Sequence, residues 1–568
     1  LDLDAQNTAR QVMQRRLAEL TETRDGEPPR EVRNAAVVAL NPHSGDVLAM
    51  VGSPNYFDPR IDGAVNAALT ARQPGSSIKP ITYAAAFDPQ IAAAHGYAPL
   101  TPGTMMVDVR TAFVTKEGRP YVPQNYDRRW HGPVLLRQSL ASSFNLIAVK
   151  VLDTVGFEAM TELARSLGIS TFDNRQFGLA LTLGGGEVRL LELTAAYAAF
   201  ANGGQRIEPV LISRVADSTG RVLYRRPADL NPGPRVLDAR TAYLITDILS
   251  DDYARRSGFG AGSVLQLDRP AAAKTGTTTD WRDNWTVGYT PNLVVGVWAG
   301  NADNEPMRHV SGVTGAAPIW HDVMALLLKG RPAQPFPRPD GLVEREICAD
   351  NGLLPAKENQ GATEITPTSS SILQPSAVPA RCPHTLTEIF IDGTEPRRVD
   401  DWHIAVALDR RTGLRAGPGC KLDFVTLQTY TRYPAEAEAW ARRQGIPQPP
   451  DIYSPLCPNP DAESPNRPIP HAAAPSPFSL IFTSPDQGSV YRISPKIPRD
   501  KQKIRVAVRP ADGVRVARVE LRVNGAPLAA GPQTLWQMSP GEFTFEAVGV
   551  DPAGNPLPAR PVTVRIVE

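Results

Sequence analysis

Residues 71–87 read ARQPGSSIKPITYAAAF, and this stretch is the most informative one for the fold. A Pro-Gly pair ends a loop, and the apolar run that follows has the length and composition of a helix. Serine is a favourable N-cap, and proline is tolerated only in a first turn, where backbone amides lack intrahelical partners. We therefore expect Ser76 to open a helix whose first turn contains Lys79 and Pro80.

Ser76 and Lys79 have the spacing of a nucleophile and its base. Three residues place the two side chains one turn apart on the same helix face, and the helix dipole at the N-terminus favours a developing alkoxide. A lysine with a depressed pKa accepts a serine proton. Ser-x-x-Lys by itself recurs by chance, so an ordinary surface helix start is the alternative.

A second short motif is Ser143-Phe144-Asn145. A serine at such a position is often no more than a solvent-facing helix residue. If the motif is catalytic, we expect the Ser143 hydroxyl to relay a proton between Lys79 and the leaving amine. The Asn145 amide both donates to and accepts from a substrate peptide bond.

The third motif lies in residues 271–280, AAAKTGTTTD, before a predicted strand hairpin. We expect Lys274 on an edge strand, and Gly276 leaves room for a substrate backbone to approach. Thr275 and Thr277 add hydroxyls to the charge of Lys274, a combination that suits a substrate ending in a carboxylate. Alone, the motif also fits a turn between strands.

The three motifs together, in this order, are the set found in penicillin-binding proteins and class A β-lactamases. The chain resembles a class A penicillin-binding protein, close to the type 1C branch, over nearly all of residues 1–330. The matching stretches include VPQNYDRRWHGPVLLRQSLASSFN, LTLGGGEVRLLELTAAYAAFANGG and AAAKTGTTTDWRDNWTVGYTPNLVVGVWAGN. The resemblance implies an α/β (α+β) fold in which an antiparallel sheet is flanked by helices. The serine would lie between the sheet and a helical lobe.

The resemblance also implies the chemistry. Ser76 would attack the D-Ala–D-Ala peptide of a peptidoglycan stem, release D-alanine, and pass the acyl group to a neighbouring stem's amine. The backbone amides of Ser76 and Thr277 would form the oxyanion hole. β-Lactam antibiotics would acylate Ser76 and stay bound. No cofactor and no metal are expected.

Local patterns predict the organisation of the chain. Hairpins are expected at 34–52 and 284–300, and helices at 135–156 and 188–204. We expect a transpeptidase domain at 1–330 and an irregular, cysteine-containing segment with Pro-rich linkers at 331–477. A small Ig-like β-sandwich is expected at 478–568, since short alternating strands are separated by turn residues there. Within the middle segment, one short helix is predicted just before Gly445 and Pro447.

The four cysteines, Cys348, Cys382, Cys420 and Cys457, all lie in the middle segment. None is part of a CxxC pair, which argues against a zinc site. Two disulfides in an oxidising compartment fit the number and leave three connectivities open. Four buried thiols are the alternative.

Composition limits the partners. The net charge of +1, from 60 basic and 59 acidic residues, gives no general attraction to nucleic acid. No run of about 18 apolar residues predicts a membrane span, so a membrane anchor is expected upstream. We expect an extracytoplasmic location in a bacterial envelope, no glycosyltransferase domain in this sequence, and contacts with cell-wall synthesis proteins through the C-terminal module.

Two other functions remain open on the sequence. The first is a β-lactamase or D,D-carboxypeptidase, which needs a carboxylate to activate water; Glu187 is the nearest candidate, although a structural or solvated glutamate is the simpler interpretation. Phe144 stands where β-lactamases usually have Asp, which favours the synthase. The second is a β-lactam sensor, which would normally carry adjacent transmembrane helices.

Overall fold

The computed structural model describes residues 1–22, 29–114, 120–172, 177–227, 233–356, 378–417, 419–457, 479–495, 497–511, 514 and 516–568. The helices are α1 Leu3–Thr21, α2 Lys79–Phe87, α3 Pro89–His95, α4 Leu136–Ala141, α5 Asn145–Val155, α6 Phe157–Ser166, α7 Leu190–Ala201, α8 Ala239–Ser250, α9 Arg256–Phe259, α10 Ala316–Leu327 and α11 Ala435–Arg443.

The first strands are β1 Asn34–Leu40, β2 Val47–Val51, β3 Met105–Asp108, β4 Thr111–Val114, β5 Pro120–Tyr121, β6 Gly132–Leu135, β7 Arg214–Ala216, β8 Val222–Arg225, β9 Ala272–Thr277, β10 Asp283–Thr290 and β11 Leu293–Gly300. The middle segment adds β12 Leu342–Cys348, β13 Val378–Pro379, β14 Thr385–Ile391, β15 His403–Asp409 and β16 Val425–Thr431. The last strands are β17 Leu480–Ser484, β18 Val490–Arg492, β19 Lys503–Pro510, β20 Arg518–Val523, β21 Ala526–Ala530, β22 Gln533–Gln537, β23 Gly541–Val550, β24 Pro556–Pro558 and β25 Val562–Val567.

A five-stranded antiparallel sheet, ordered β2-β1-β11-β10-β9, organises the first domain. It contains both predicted hairpins, β1–β2 and β10–β11. All residues of β1, β10 and β11 are buried, because helices cover both faces. Alternate residues of β1 therefore join two cores: Val38 lies in the core beneath α2 and α7, and Val37 lies in the core beneath α1 and α10.

The helical lobe contains α2 through α6. The helix predicted across 135–156 is in fact two helices, α4 and α5, because Ser143 adopts a left-handed backbone conformation with φ of 65°. Such a conformation interrupts a right-handed helix. The helix predicted at 188–204 is confirmed as α7, and it is almost fully buried.

The middle segment is more regular than predicted. Strands β12 and β14 form one antiparallel pair, and β13, β15 and β16 form a second small sheet. Their burial does not alternate strictly along β12 and β16, which explains why no periodicity was visible in the sequence. The short helix α11 is confirmed. Residues 458–477, the second of the Pro-rich linkers predicted within 331–477, lie outside the described residues.

The cysteines form two disulfides. Cys348 pairs with Cys382, and Cys420 pairs with Cys457. Each bridge joins two cysteines that have no other cysteine between them in the sequence. The alternative of four free thiols is wrong.

The C-terminal strands form the predicted two-sheet sandwich. One sheet is β17-β19-β22, and the other contains β21, β20, β23, β25 and β18. The second sheet continues into β4 and β5 of the first domain, a connection that the sequence did not predict.

Among the described helices, none combines the length and apolar character needed to cross a membrane.

Arg137 joins the first domain to the middle segment. Its guanidinium contacts Glu388 of β14 at 2.6 Å, Asp247 at 2.6 Å and Asp251 at 3.2 Å. The Glu388 side chain is fully buried, so it depends on this cation.

We expect Arg137→Ala to lower the free energy of unfolding by about 3–5 kcal/mol, because it leaves a buried carboxylate without its partner. The matched control is Arg338→Ala, since the Arg338–Glu344 pair is 40% and 51% exposed and is worth about 0–1 kcal/mol. Urea unfolding measures both. Equal losses for the two variants would contradict this account of Arg137.

Candidate active site

Ser76 lies in a 3₁₀ turn, Gly75–Ile78, that leads directly into α2. The prediction that Ser76 is a helix N-cap is wrong in detail, because Pro74 precedes the turn and no side chain caps it. The expected alignment with Lys79 nevertheless follows, because residues i and i+3 of a 3₁₀ helix eclipse each other. Ser76 is half-buried.

Three hydrogen bonds, two of them buried, stabilise this turn and the residues before it. Trp285 Nε1 donates to the Gln73 carbonyl at 2.7 Å, and the Tyr197 hydroxyl donates to the Ser77 carbonyl at 2.6 Å. The Ser77 hydroxyl donates to the Pro74 carbonyl at 2.7 Å. The Ser76 hydroxyl makes no hydrogen bond within the described part of the chain, and it lines the cleft.

The turn and β9 approach each other at backbone distance. A Cβ on Gly276 would lie 2.1 Å from the Pro74 carbonyl oxygen, and one on Gly75 would lie 2.7 Å from the Thr277 backbone nitrogen. Gly75 also has a positive φ of 55°, which favours glycine. The two glycines therefore let the backbone of the Ser76 turn contact the backbone of β9 directly.

β9 is an edge strand, as predicted. Thr275 and Thr277 line the cleft, whereas the Lys274 side chain is buried. The Thr277 hydroxyl accepts a hydrogen bond from the Gly312 amide at 2.8 Å, which fixes the loop after β11 against this strand.

Lys79 is fully buried and contacts the Ser143–Asn145 turn. Its Nζ donates to the Ser143 carbonyl and to Asn145 Oδ1, both at 2.7 Å, and lies 3.2 Å from the Phe144 carbonyl. A neutral amine has two N–H groups, and the two short bonds account for both. The third contact, to the Phe144 carbonyl, matches the third N–H of the charged form, and loss of that proton would leave Lys79 a lone pair that can accept another.

Ser143 lies between the two lysines. Its Oγ accepts from Lys274 Nζ at 2.8 Å and lies 3.4 Å from Lys79 Nζ. Lys274 also donates to the Thr275 carbonyl at 2.9 Å. A hydroxyl can accept one proton while it donates another, so this geometry connects both amines through a single oxygen.

Burial lowers the pKa of both lysines. Desolvation, followed by the nearby charge of Lys274, holds the pKa of Lys79 well below its usual range. Desolvation and the nearby Arg255 lower the pKa of Lys274 to about 7. Two like charges in one buried site oppose each other, so the site favours the neutral form of Lys79 more than water does.

A hydrogen-bond network that supports the Ser143–Asn145 turn was not predicted from the sequence. Asn125 Oδ1 accepts from the Asn145 backbone amide at 2.8 Å, and Asn125 Nδ2 donates to Asp108 at 2.7 Å. Asp108 also contacts His131 Nδ1 at 2.6 Å. Burial opposes the imidazolium, but Asp108 and Asp127 outweigh it and raise the pKa of His131.

His131 stacks on Phe144, with ring centroids 4.0 Å apart. Asn145 is fixed from the other side, because its Nδ2 donates to the Gln124 carbonyl at 2.8 Å. Asn125 and His131 lie within the stretch that carries the family resemblance, but they belong to no short motif. Only their contacts reveal their role.

The structure brings all three motifs to one cleft with a cavity of about 150 Å³. The cleft is lined by the motif residues Ser76, Ser143, Asn145, Thr275 and Thr277. Lys79 and Lys274 are buried behind it, and the amine of each lies near the Ser143 hydroxyl. Phe144 of the second motif also lines the cleft, and the remaining lining residues are Asn125, Tyr126, Asp127, Ser142, Ser257, Gly258, Phe259, Ser311 and Val313.

Comparison with known proteins agrees with this geometry. Residues 35–325, more than half of the chain, match the family described as the penicillin binding protein transpeptidase domain. Residues 470–557 match a second family, the Penicillin-Binding Protein C-terminus Family.

The chain is 35% identical over 321 residues to penicillin-binding protein 2D of Bacillus subtilis, covering 55% of this chain and 44% of that protein. It is 34% identical over 306 residues to penicillin-binding protein 1A of Aquifex aeolicus, covering 54% and 39% respectively. It therefore spans less than half the length of these curated relatives. The crystal structure of penicillin-binding protein 1A from Haemophilus influenzae matches with a TM-score of 0.54 at 28% identity, covering 66% of this chain and 55% of that one.

We expect Gly276→Ala to lower the free energy of unfolding by about 1–3 kcal/mol, because its methyl group would force β9 and the Ser76 turn apart. Gly178→Ala is the control, since Gly178 has a φ of −102° and nothing lies within 4 Å of its added Cβ. Thermal unfolding of both variants measures the difference. An unchanged melting temperature for Gly276→Ala would show that the close approach is not required.

We also expect Lys274 to lose its proton with a midpoint near pH 7, far below the value of about 10.4 for an unperturbed lysine. NMR titration of protein labelled at lysine Cε measures this, and Lys274→Arg identifies the resonance by removing it. A midpoint near 10 would mean that water reaches the ammonium and that the site is not desolvated.

Proposed function

The chain belongs to the penicillin-binding protein transpeptidase family, and on that basis we propose that it is a serine D,D-transpeptidase that cross-links peptidoglycan stem peptides through an acyl-enzyme on Ser76. One observation carries the proposal: the Ser143 hydroxyl lies between Lys79 and Lys274, both with lowered pKa values, in the cleft that Ser76 also lines. This arrangement supplies a nucleophile, a base and a proton relay.

In the acylation step, Ser76 Oγ attacks the carbonyl carbon of the penultimate D-alanine. Its proton passes to the neutral amine of Lys79, which has a lone pair available. The negative charge that forms on the carbonyl oxygen is stabilised by the backbone amides of Ser76 and Thr277. Preorganised donors of this kind usually supply the largest share of the rate acceleration.

Collapse of the tetrahedral intermediate breaks the peptide bond and releases D-alanine. The leaving amine takes a proton from the Ser143 hydroxyl, which is replenished from Lys79. Asn145 holds the substrate amide and, by accepting from Lys79, also holds the base. In the second step, the amine of a neighbouring stem attacks the ester and regenerates Ser76 by the reverse proton path.

Lys274, Thr275 and Thr277 are proposed to bind the terminal carboxylate of the donor stem. Gly276, which the sequence predicted would give a substrate backbone access, instead faces the Pro74 carbonyl oxygen, 2.1 Å from the position of an added Cβ. An anion near Lys274 favours its charged form. Binding of the carboxylate therefore raises the pKa of Lys274 from about 7. The bound substrate thus favours the protonated, positively charged form of the lysine that binds it.

The geometry favours a transferase over a hydrolase. Glu187, the sequence candidate for activating water, is exposed and is not among the residues that line the cleft. Asp127 does line the cleft, but its carboxylate is bound to His131 Nε2 at 3.1 Å. Within the described part of the cleft, no other carboxylate is available to activate a deacylating water.

The same proposal extends to location and partners. Two disulfides fit an oxidising compartment, which supports a site of action outside the cytoplasm, at the cell wall. We assign residues 1–330 to the transpeptidase, 331–477 to the disulfide-containing segment and 478–568 to the β-module. Contacts with other wall-synthesis proteins through that module complete the proposal.

Brief exposure to benzylpenicillin tests the nucleophile. We expect intact mass spectrometry to show one added drug mass on the wild-type protein and none on Ser76→Ala. The matched control is Ser257→Ala, another serine of the same cleft, which should keep the adduct. No adduct on wild type with the drug intact would overturn the proposal, and no adduct with the drug consumed would indicate a β-lactamase.

A further inference from the structure

The C-terminal β-module, here residues 479–568, shares a β-sheet with the first domain. Strand β18 lies between β25 of the module and β4 of the first domain, and it pairs in parallel with both. Val490 pairs with Thr111, and Tyr491 pairs with Ala112. Such pairing fixes the register of the two parts, because a slip by one residue would exchange buried and exposed side chains.

Strand β4 contributes side chains to two cores. Ala112 is fully buried among the apolar residues of the module, including Tyr491. The next residue, Phe113, is buried against Leu146 and Val149 of α5. Successive strand residues point to opposite faces, so a displacement of β18 would be passed through β4 to α5.

The module also contacts α5 directly. Arg492 Nε lies 3.2 Å from Asp153 Oδ2, and Arg492 Nη2 donates to Thr154 Oγ1 at 3.4 Å. Asp153 is 2% exposed and Arg492 is 19% exposed. A buried carboxylate needs a cationic or hydrogen-bonding partner, and Ser494 and Arg492 of the module both supply one to Asp153. These contacts lie near the C-terminal end of the helix whose first residue is Asn145.

A second series of contacts connects β4 with Gln124 and Asn125, which hold Asn145. Strand β5 pairs with β4 and is followed by Val122, which packs against the core of the module. Two residues further, the Gln124 carbonyl and Asn125 Oδ1 accept from the Asn145 side chain and backbone. These two contacts to Asn145 therefore come from the segment that follows β5, the strand paired with β4.

A polar contact supports the same junction nearer the surface. Arg110, which precedes β4, donates to Ser489 Oγ and to Asp486 Oδ2, both at 2.5 Å. Arg110 is 38% exposed and Asp486 is 64% exposed. This pair can therefore be removed without opening either core.

We propose that the C-terminal β-module is a positioning element of the active site, which holds α5 and the segment 122–131 so that Asn145 meets Lys79 in the geometry that acylation requires. Arg492 and Arg110 are its positioning residues. The inference rests on the proposed function, since it concerns the rate of the Ser76 acylation step. A simple tether would need no buried ion pair on the helix that carries Asn145.

The test compares Arg492→Ala, Arg110→Ala and the control Arg522→Ala in the full chain. Arg522 is a module arginine that is 43% exposed, close to the 38% of Arg110, and its partner, Glu520, belongs to the module itself. The measurement is the second-order rate constant for acylation by a fluorescent penicillin between pH 5 and 10. Circular dichroism and thermal unfolding establish that each variant is folded.

We expect Arg492→Ala to lower the rate constant roughly tenfold or more, because small displacements of positioned groups cost up to about 10²-fold. Arg110→Ala should lower it less, and Arg522→Ala should leave it unchanged. Lys79 is faced by the charge of Lys274 and by polar groups of residues 143–145. If Asn145 moves and water enters, the pKa of Lys79 rises, so the ascending limb of the pH profile should shift to higher pH.

A folded Arg492→Ala with the wild-type rate constant and pH profile would overturn the inference and leave the module a passive attachment. If Arg492→Ala does not fold, Arg110→Ala decides the question: a lower rate with a shifted limb supports positioning, and no change overturns it. Failure of the proposed function is distinct, because wild-type protein would then not be acylated at all.

Discussion

The active site depends on one steric constraint: the turn that carries Ser76 and the edge strand β9 approach at backbone distance. A side chain at position 75 or 276 would collide with the opposite backbone. Gly184 fits the same junction, since its own Cβ would lie 2.2 Å from the Gly75 nitrogen. With no side chains between them, the two backbones form one wall, and hydrogen bonds from Trp285 and Tyr197 stabilise it from the core.

This close contact also explains why the pKa values of Lys79 and Lys274 are lowered. Lys79 extends from the turn and Lys274 from the strand, so bringing the two backbones together encloses both amines around Ser143. Burying two ammonium groups together is costly, and the protein relieves the cost by lowering their pKa values. The same lowering of the pKa that makes the arrangement tolerable suits Lys79 to its proposed role as the base. Stability and chemistry are here two consequences of a single desolvated site.

All parts of the molecule meet on helix α5. The first domain contributes Phe113, and the middle segment contributes Glu436, which lies 3.8 Å from the buried Lys150 ammonium. The β-module contributes Arg492. The N-terminal residue of this helix is Asn145, and the turn before it contains Ser143. The accessory segments are thus packed around the helix that completes the catalytic cleft, which gives them a physical route to influence it.

The sequence by itself determined the three motifs, the edge position of Lys274, the two hairpins of the sheet, helix α7 and the terminal sandwich, because each depends on neighbours along the chain. It misplaced Ser76 as an N-cap, since the choice between a 3₁₀ turn and a helix start depends on contacts with β9. Only the tertiary structure decided the disulfide pairing, the Asn125–Asp108–His131 network and the junction of β18 with β4. These features join residues distant in the chain, and no local pattern of composition or periodicity encodes which distant groups meet.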